Sequence, residues 1–374
     1  MQKFRISVVL TNRTNYSKLK LILRMLRIHE DVELSVAASS SLLLEKYGAA
    51  YRDLEKDGVA INEFIDCLMM NDSHESMANT IGLSVLKHST YFSKFKPSLV
   101  IIVGDRFDTL AIAMTAMVMN IPIAHIQGGE ESGTIDDRVR NLISIGSELH
   151  FVATEKSASR LTNMGISPTK IFNFGCPAVE YIESLDVGGA FDGSRIGKTF
   201  KREIQIGQGD RYFLVMVHPD TTNSKDVSMR EILSAVEEFN TKAFVFYPNV
   251  DANNSLLLEE LTAFRENENF YMIRHMPLDG FVHIMAHADC MIGNSSSGIR
   301  EAASFETPVV NIGERQKGRE RNSNTTDVEC NKTKIMEAIS DSISKKNIYP
   351  NKNIYSTKNG SKLIVDKIMN FLDN

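Results

Sequence analysis

Cysteine is scarce in this chain and is never clustered. Four cysteines (Cys67, Cys176, Cys290 and Cys330) are spread over 374 residues, with no CxxC pair and no Cys/His group at zinc spacing. That excludes a disulfide-stapled scaffold and the common zinc modules, and the four read as free buried thiols of a reducing cytosol. Long apolar runs are missing too. The stretch MQKFRISVVLTNR holds only about six apolar residues in succession before it turns polar, which reads as a strand rather than a signal peptide. No segment approaches the roughly 18 apolar residues of a membrane span, so a cytoplasmic chain without a membrane partner is expected. A large charge of one sign is also absent: 42 basic against 47 acidic residues leave a formal −5. This argues against a general binder of nucleic acid or of membrane surfaces, while saying nothing of a local cationic pocket. There is no solenoid-length repeat and no low-complexity tract.

What remains is globular in composition, 43% hydrophobic and 24% charged, and too long for one ordinary core. Eleven short runs rich in β-branched residues recur, among them Ile6–Leu10, Leu99–Val103, Tyr212–Val217 and Cys290–Ile292. Each is apolar on both faces and is followed by a helical pattern, the signature of parallel strands covered on either side. The alternation predicts an α/β protein with two Rossmann-like, doubly wound parallel sheets and a cleft between them. The seam is expected near Val187–Lys201, giving domains 1–186 and 187–359, with an amphipathic helix over 360–374 crossing back to the first. In such sheets ligands bind beyond the carboxyl ends of the strands, so the strand-to-helix turns are the places to search.

The first turn, TNRTNYSKLK, lacks GxGxxG, and neither half carries that glycine fingerprint, so hydride transfer is not suited and neither a cofactor nor a metal is expected. It offers instead Arg13 and Ser17 near a helix N-terminus, where anions bind; the plainer alternative is that Ser17 caps the helix and Arg13 is solvated. GDRFDT places Asp105 and Arg106 just after an apolar strand, as an acid or base and a phosphate ligand, or else as a pair that stitches the turn. HIQGGEESGTIDDRVRN brings Glu130, Asp137 and Arg140 into one exit, with Asp137 and Arg140 three apart on one helical face. That pattern looks like acid–base machinery, its alternative being an N-cap with a surface ion pair. In the second half, His218, Asn249 and His275 stand at strand ends. The run GNSSSGIRE (Gly293–Glu301), with Ser295, Ser296 and Gly298 opening a helix, is suited to phosphate, and Glu301 to paired hydroxyls. Arg315, Lys317, Arg319 and Arg321 follow as a local basic patch on what reads as a flexible segment.

Taken together, NRTNYSKLKLIL, GDRFDTLAIA, HIQGGEESGTIDD, GCPAVE, HPDTT, YPNVDAN and GNSSSGIRE followed by TPVVNIG resemble the hydrolysing UDP-N-acetylglucosamine 2-epimerases over about residues 4 to 325. The likeness is greatest to the epimerase domain of the bifunctional sialic-acid-initiating enzyme. The resemblance implies a two-domain fold of the GT-B type and a homodimer or homotetramer. It also implies conversion of UDP-N-acetylglucosamine and water to N-acetylmannosamine and UDP, by elimination to a 2-acetamidoglucal and addition of water. By motif position it makes Asp105, Glu130, Asp137, Arg140 and His218 the catalytic set. Arg13, Ser17, Arg106, His218, Asn249, His275, Ser295, Ser296, Gly298, Glu301 and Arg315 become UDP contacts. Asn15 stands where the family usually has an acid, Asn141 where it usually has histidine, and position 127 is Gln where relatives carry Glu, His or Gln. The alternatives are the same reaction on UDP-2,4-diacetamido-2,4,6-trideoxyglucose, a GT-B glycosyltransferase, and a degenerate nucleotide-sugar binder.

Overall fold

The structure, a computed structural model, describes residues 3–45, 49–70, 73–189, 191–196, 206–207, 209–220, 227–249, 254–274, 276–346, 349 and 352–373. Contacts group the chain into two units. Unit 1 comprises Met1–Glu131, Ile135–Tyr181 and Tyr355–Asn374; unit 2 comprises Ser132–Thr134 and Ile182–Ile354. The expected seam at Val187–Lys201 lies partly outside the described residues.

Unit 1 is built on a seven-stranded sheet: β1 (Phe4–Leu10), β2 (Val32–Ser39), β3 (Glu63–Ile65), β4 (Leu99–Val103), β5 (Ile123–Ile126), β6 (Leu149–Val152) and β7 (Ile171–Asn173). Every pairing is parallel, in the order β3-β2-β1-β4-β5-β6-β7. The central strands are apolar because both faces are covered; all five residues of β4, LVIIV, are buried. Its helices are α1 (Arg13–Ile28), α2 (Tyr51–Lys56), α3 (His74–Phe95), α4 (Phe107–Val118), α5 (Ile135–Ile145), α6 (Glu155–Asn163) and the start of α7 (Pro177–Glu183). On one face Leu19, Ile22, Leu23 and Leu26 of α1 pack with Ile364, Val365, Ile368 and Met369 of the carboxyl-terminal helix, named below as α13. On the other, α3, α4 and α5 bury Tyr91, Phe92, Ile112, Ala116, Val139 and Ile143.

Unit 2 repeats the plan with six strands: β8 (Tyr212–Met216), β9 (Lys242–Phe246), β10 (Phe270–Ile273), β11 (Cys290–Gly293), β12 (Val309–Ile312) and β13 (Thr325–Val328). Their order is β10-β9-β8-β11-β12-β13, again parallel throughout. The helices here are α8 (Met229–Glu237), α9 (Asn254–Thr262), α10 (Leu278–His287), the short α11 (Ser296–Arg300) and α12 (Lys332–Ser344); α13 (Gly360–Leu372) returns to unit 1. Each of the eleven expected runs falls on a strand, with ends that agree to within two residues. The two strands without such a run, β3 and β13, are both edge strands, one only three residues long and the other the polar TTDV.

Strand order reverses between β1 and β4 in unit 1 and between β8 and β11 in unit 2. A crevice opens at such switch points because the two crossover helices leave on opposite faces. These are the exits on which most of the candidate residues sit. All four cysteines are free, three buried and Cys330 half-buried. Among the described residues no helix is long and apolar enough to cross a membrane, and no group of three His, Cys, Asp or Glu is placed to hold a metal ion.

Candidate active site

In unit 1 the exits of β4 and β5 bring four sequence-predicted residues together around one guanidinium. Arg140 of α5 is wholly buried, 0% exposed. Its Nη1 donates to Asp137 Oδ1 at 2.6 Å and to the carbonyl of Glu130 at 2.6 Å, and its Nη2 donates to Asp105 Oδ2. Burial alone lowers an arginine's pKa, yet the two carboxylates more than offset this and hold Arg140 above its ordinary value. Asp105 and Asp137 keep 16% and 22% of their side chains exposed, so both carboxylates face outward from a buried cation. The Glu130 side chain is itself buried.

The cluster is braced from behind by His125. Its Nε2–H donates to the carbonyl of Gly104 at 2.9 Å, which leaves Nδ1 to accept from the Ser144 hydroxyl at 3.1 Å. The ring is fully buried and its pKa is pushed down to about 3, chiefly by burial, so it is neutral. One imidazole thus ties the peptide before Asp105 to the helix that carries Asp137 and Arg140. Gly128 is needed for this: a Cβ there would stand 2.8 Å from Ser144 Oγ and 3.0 Å from His125 Nδ1.

At the β1 exit the helix begins differently from expectation. Asn12, not Ser17, caps α1, accepting from the Asn15 N–H at 3.1 Å. Ser17 lies in the second turn and donates to the Thr14 carbonyl at 2.9 Å, while Arg13 is the first helical residue. Arg106 is half-buried, its Nε 3.7 Å from Asp108 Oδ1. Asp108 is 1% exposed and accepts from the Thr11 and Ser40 hydroxyls at 3.1 and 2.9 Å, so the second carboxylate of GDRFDT is structural. Within the turn Arg106 thus stands beside Asp108, while Asp105 reaches Arg140.

In unit 2 the β8 and β11 exits are locked by a residue that sequence reasoning passed over. The buried amide of Asn294 accepts from the His218 N–H at 2.7 Å and donates to the His218 carbonyl at 2.9 Å, extending the ladder with a side chain. Its main chain passes so close to β8 that a Cβ on Gly293 (φ +135°) would lie 2.0 Å from the Met216 oxygen. The Asn249 N–H donates to His218 Nδ1 at 3.3 Å, which assigns the imidazole proton to Nε2 when the ring is neutral. Arg315 and Gln316 both donate to the Asn294 carbonyl, at 3.2 and 3.0 Å. Ser295 caps α11, Ser296 is its first residue and Glu301 its carboxyl-terminal cap. Gly298 is used for packing, since a Cβ would come within 2.9 Å of Val309 Cγ1. His275 lies outside the described residues.

The basic patch after β12 is mostly committed internally. Lys317 pairs with Glu314 at 2.6 Å, Arg319 donates to Gln316 at 2.6 Å, and Arg321 holds Asp327 through two nitrogens. Arg315 reaches the β11 exit through the Asn294 carbonyl.

A family model described as UDP-N-acetylglucosamine 2-epimerase matches residues 24–369. The chain belongs to this family. It is 32% identical over 346 residues to the UDP-N,N′-diacetylbacillosamine 2-epimerase (hydrolyzing) of Legionella pneumophila, a match covering 92% of this chain and 90% of that protein. It is 31% identical over 337 residues to the GDP/UDP-N,N′-diacetylbacillosamine 2-epimerase (hydrolyzing) of Campylobacter jejuni, covering 88% and 86%. Among solved structures, the UDP-GlcNAc 2-epimerase from Neisseria meningitidis bound to UDP-GlcNAc has the same fold, with a TM-score of 0.81 over 98% of this chain and 100% of that one at 17% identity.

One of the two noted departures of this 2-epimerase chain, Asn15, acquires a physical account, and so does Gln127. Asn15 is 4% exposed, accepts from the Thr11 N–H and hydroxyl at 3.0 and 2.8 Å and donates to the Val103 carbonyl at 3.3 Å. It joins the β1 and β4 exits, and that last bond needs an amide, which an ionised acid lacks. Gln127 adopts φ +65°, in the left-handed region, and donates from Nε2 to Cys176 Sγ at 2.8 Å, so it anchors the loop start from within. Asn141 is half-buried beside Arg140, and nothing in the structure explains it.

Proposed function

We propose that this family member is a hydrolysing 2-epimerase of a UDP-linked 2-acetamido sugar, releasing UDP and the free 2-epimer. The observation that carries the reading is the Asp105–Arg140–Asp137 cluster with Glu130 beside it. The C2–H of a nucleotide sugar is not acidic, so elimination succeeds only if the departing diphosphate takes the negative charge and a nearby carboxylate takes the proton. We assign proton removal at C2 and activation of water to Asp105, Glu130 and Asp137, held in place by Arg140. Arg13, Arg106 and Arg315, the Ser295 and Ser296 hydroxyls and the Nε2–H of His218 are assigned to the diphosphate, and Ser17, Asn249 and Glu301 to the rest of UDP. Loss of UDP gives a 2-acetamidoglucal, and water then adds across the double bond with inversion at C2.

For the sugar we infer UDP-N,N′-diacetylbacillosamine, the 2,4-diacetamido-2,4,6-trideoxy compound, because the relatives at 32% and 31% identity carry that substrate in their names. UDP-N-acetylglucosamine is the second reading, favoured by the family description.

The test is to incubate the chain with each sugar in deuterated water and follow it by proton NMR. Free UDP together with the 2-epimer deuterated at C2 is the expected result, faster with the diacetamido sugar. Exchange to the UDP-linked epimer without UDP release would mean a non-hydrolysing reaction. Intact substrates with tight UDP binding would leave the chain a binder and refute the proposal.

A further inference from the structure

The five-residue α11 carries Ser295 and Ser296 at its start and Glu301 at its end, and a helix so short does not hold its own shape. Its amino end is fixed by the Ser295 cap, whose hydroxyl accepts from the Ser297 N–H at 3.4 Å. At its carboxyl end the backbone changes pitch. Glu301 (φ −89°, ψ −39°) donates its N–H to the Ser297 carbonyl at 2.9 Å, and a 3₁₀ turn over Ala302–Phe305 follows at once. The last carbonyls of a helix have no partner within it and must find donors elsewhere. Two buried asparagines supply them here, from 23 and 53 positions further along the chain.

Asn322 Nδ2 donates to the Ile299 carbonyl at 3.0 Å and to Asn353 Oδ1 at 3.2 Å, while its Oδ1 accepts from the Ile354 N–H at 3.0 Å. Asn353 Nδ2 donates to the Arg300 carbonyl and to Ser304 Oγ, the latter at 2.8 Å. Both side chains are buried, and each uses its two amide hydrogens and its oxygen. A main-chain carbonyl can only accept, so this pattern leaves one orientation for each amide. Asn353 grips the chain on either side of Glu301: it holds the peptide that joins Arg300 to Glu301 and the hydroxyl three residues beyond. It is the next-to-last residue of unit 2, and the bond from Ile354 to Asn322 fixes its own backbone.

Satisfying the end of α11 needs only one donor for each carbonyl. The link between the two amides and the second grip on Ser304 go further, because they fix how the residue between the gripped points is turned. That matters for a carboxylate that takes two neighbouring hydroxyls. It must present both oxygens at hydrogen-bond distance together, and such bonds weaken steeply with misalignment. We infer that Asn353, braced by Asn322, is a positioning residue for Glu301. It sets the Glu301 carboxylate so that both oxygens meet the paired 2′- and 3′-hydroxyls of the ribose. The inference rests on the assignment of Glu301 to UDP made above. Neither asparagine has to touch the nucleotide for this; each acts through the backbone that carries Glu301.

Calorimetry on the full chain with UDP and with 2′,3′-dideoxy-UDP separates this role from a merely structural one. Wild type should bind UDP on the order of thirtyfold more tightly than the dideoxy compound, as hydrogen bonds to a charged acceptor provide. Glu301→Ala should bring that ratio to within about twofold of unity. Asn353→Ala should lower the ratio about fivefold or more through UDP alone, its affinity for the dideoxy compound staying within about twofold of wild type. Added to Glu301→Ala, it should change the ratio no further, because the carboxylate it positions is gone. Ser304→Ala removes only the second grip and should move the ratio the same way by a smaller step, and it keeps the test decisive if Asn353→Ala fails to fold. Equal loss of both ligands in Asn353→Ala, or a wild-type ratio in Ser304→Ala where Asn353→Ala does not fold, would overturn the proposal and leave the asparagines structural. A wild-type ratio in Glu301→Ala would instead refute the ribose assignment on which the proposal rests.

Discussion

Replacing Arg140 with methionine keeps the length of the side chain and removes the one cation at the centre of the carboxylate cluster. In the structure its Nη1 is 2.6 Å from Asp137 Oδ1 and from the Glu130 carbonyl, and its Nη2 holds Asp105. Breaking a buried ion pair by removing one partner costs about 3–5 kcal/mol. Asp105 and Asp137 retain 16% and 22% exposure, so some water reaches them and the lower end, about 3 kcal/mol, is the appropriate figure. The assay is native-state hydrogen exchange of peptides from α5, where a loss of that size lowers protection about a hundredfold. The pH dependence is a sharper test. Without the guanidinium two carboxylates face each other, which raises their folded-state pKa above the unfolded value near 4. The folded state then binds more protons than the unfolded state, so stability is regained as pH falls toward 5. Arg140→Met should therefore be less damaging at pH 5 than at pH 7.5, and adding Asp105→Asn should recover part of the loss. A loss of less than tenfold in protection, or one that deepens on acidification, would refute the bridging role.

Two other outcomes follow from the same geometry. Asp105→Asn keeps an oxygen for Arg140 but removes a base, so turnover should fall about 10²–10⁴-fold while UDP affinity by calorimetry changes less than about twofold; equal losses in both would make Asp105 structural. His88 and His150 are pushed down from 6.5 to about 4, and His125 to about 3, all chiefly by burial. Each is neutral when folded and charges when unfolded, so stability is flat above pH 6.5 and is lost as pH falls from there toward 3. His125→Gln should reduce that slope by about 1.4 kcal/mol per pH unit in urea titrations between pH 6 and 4; curves that stay parallel would contradict a buried neutral ring.

Much of this protein could be read from its amino acids because parallel strands covered on both faces are apolar without interruption. The eleven runs, the turns that follow them and the acids and arginines on those turns are local signals, and they suffice for the fold class and for marking Asp105, Glu130, Asp137, Arg140, His218 and Arg315 as candidates. The i,i+3 relation of Asp137 and Arg140 is local too. The edge strands β3 and β13 gave no such signal: β3 has three residues, and β13 is largely polar at an edge where little apolar surface is buried.

Other features depended on partners distant in sequence. Arg140 meets Asp105 across 35 positions only because β4 and β5 pair side by side. Asn294 clamps His218 across 76 positions because β8 and β11 are neighbours at the reversal of strand order. Four basic residues in NIGERQKGRER looked equivalent, and the fold neutralised or tied three of them, leaving Arg315 at the β11 exit. Likewise only the packing of α3 and α5 reveals that one side of the apolar α4 is left uncovered. Periodicity records which side chains avoid water. Pairing between distant segments decides which charges meet, because Coulomb and hydrogen-bond energies depend on distance in space and not on separation along the chain.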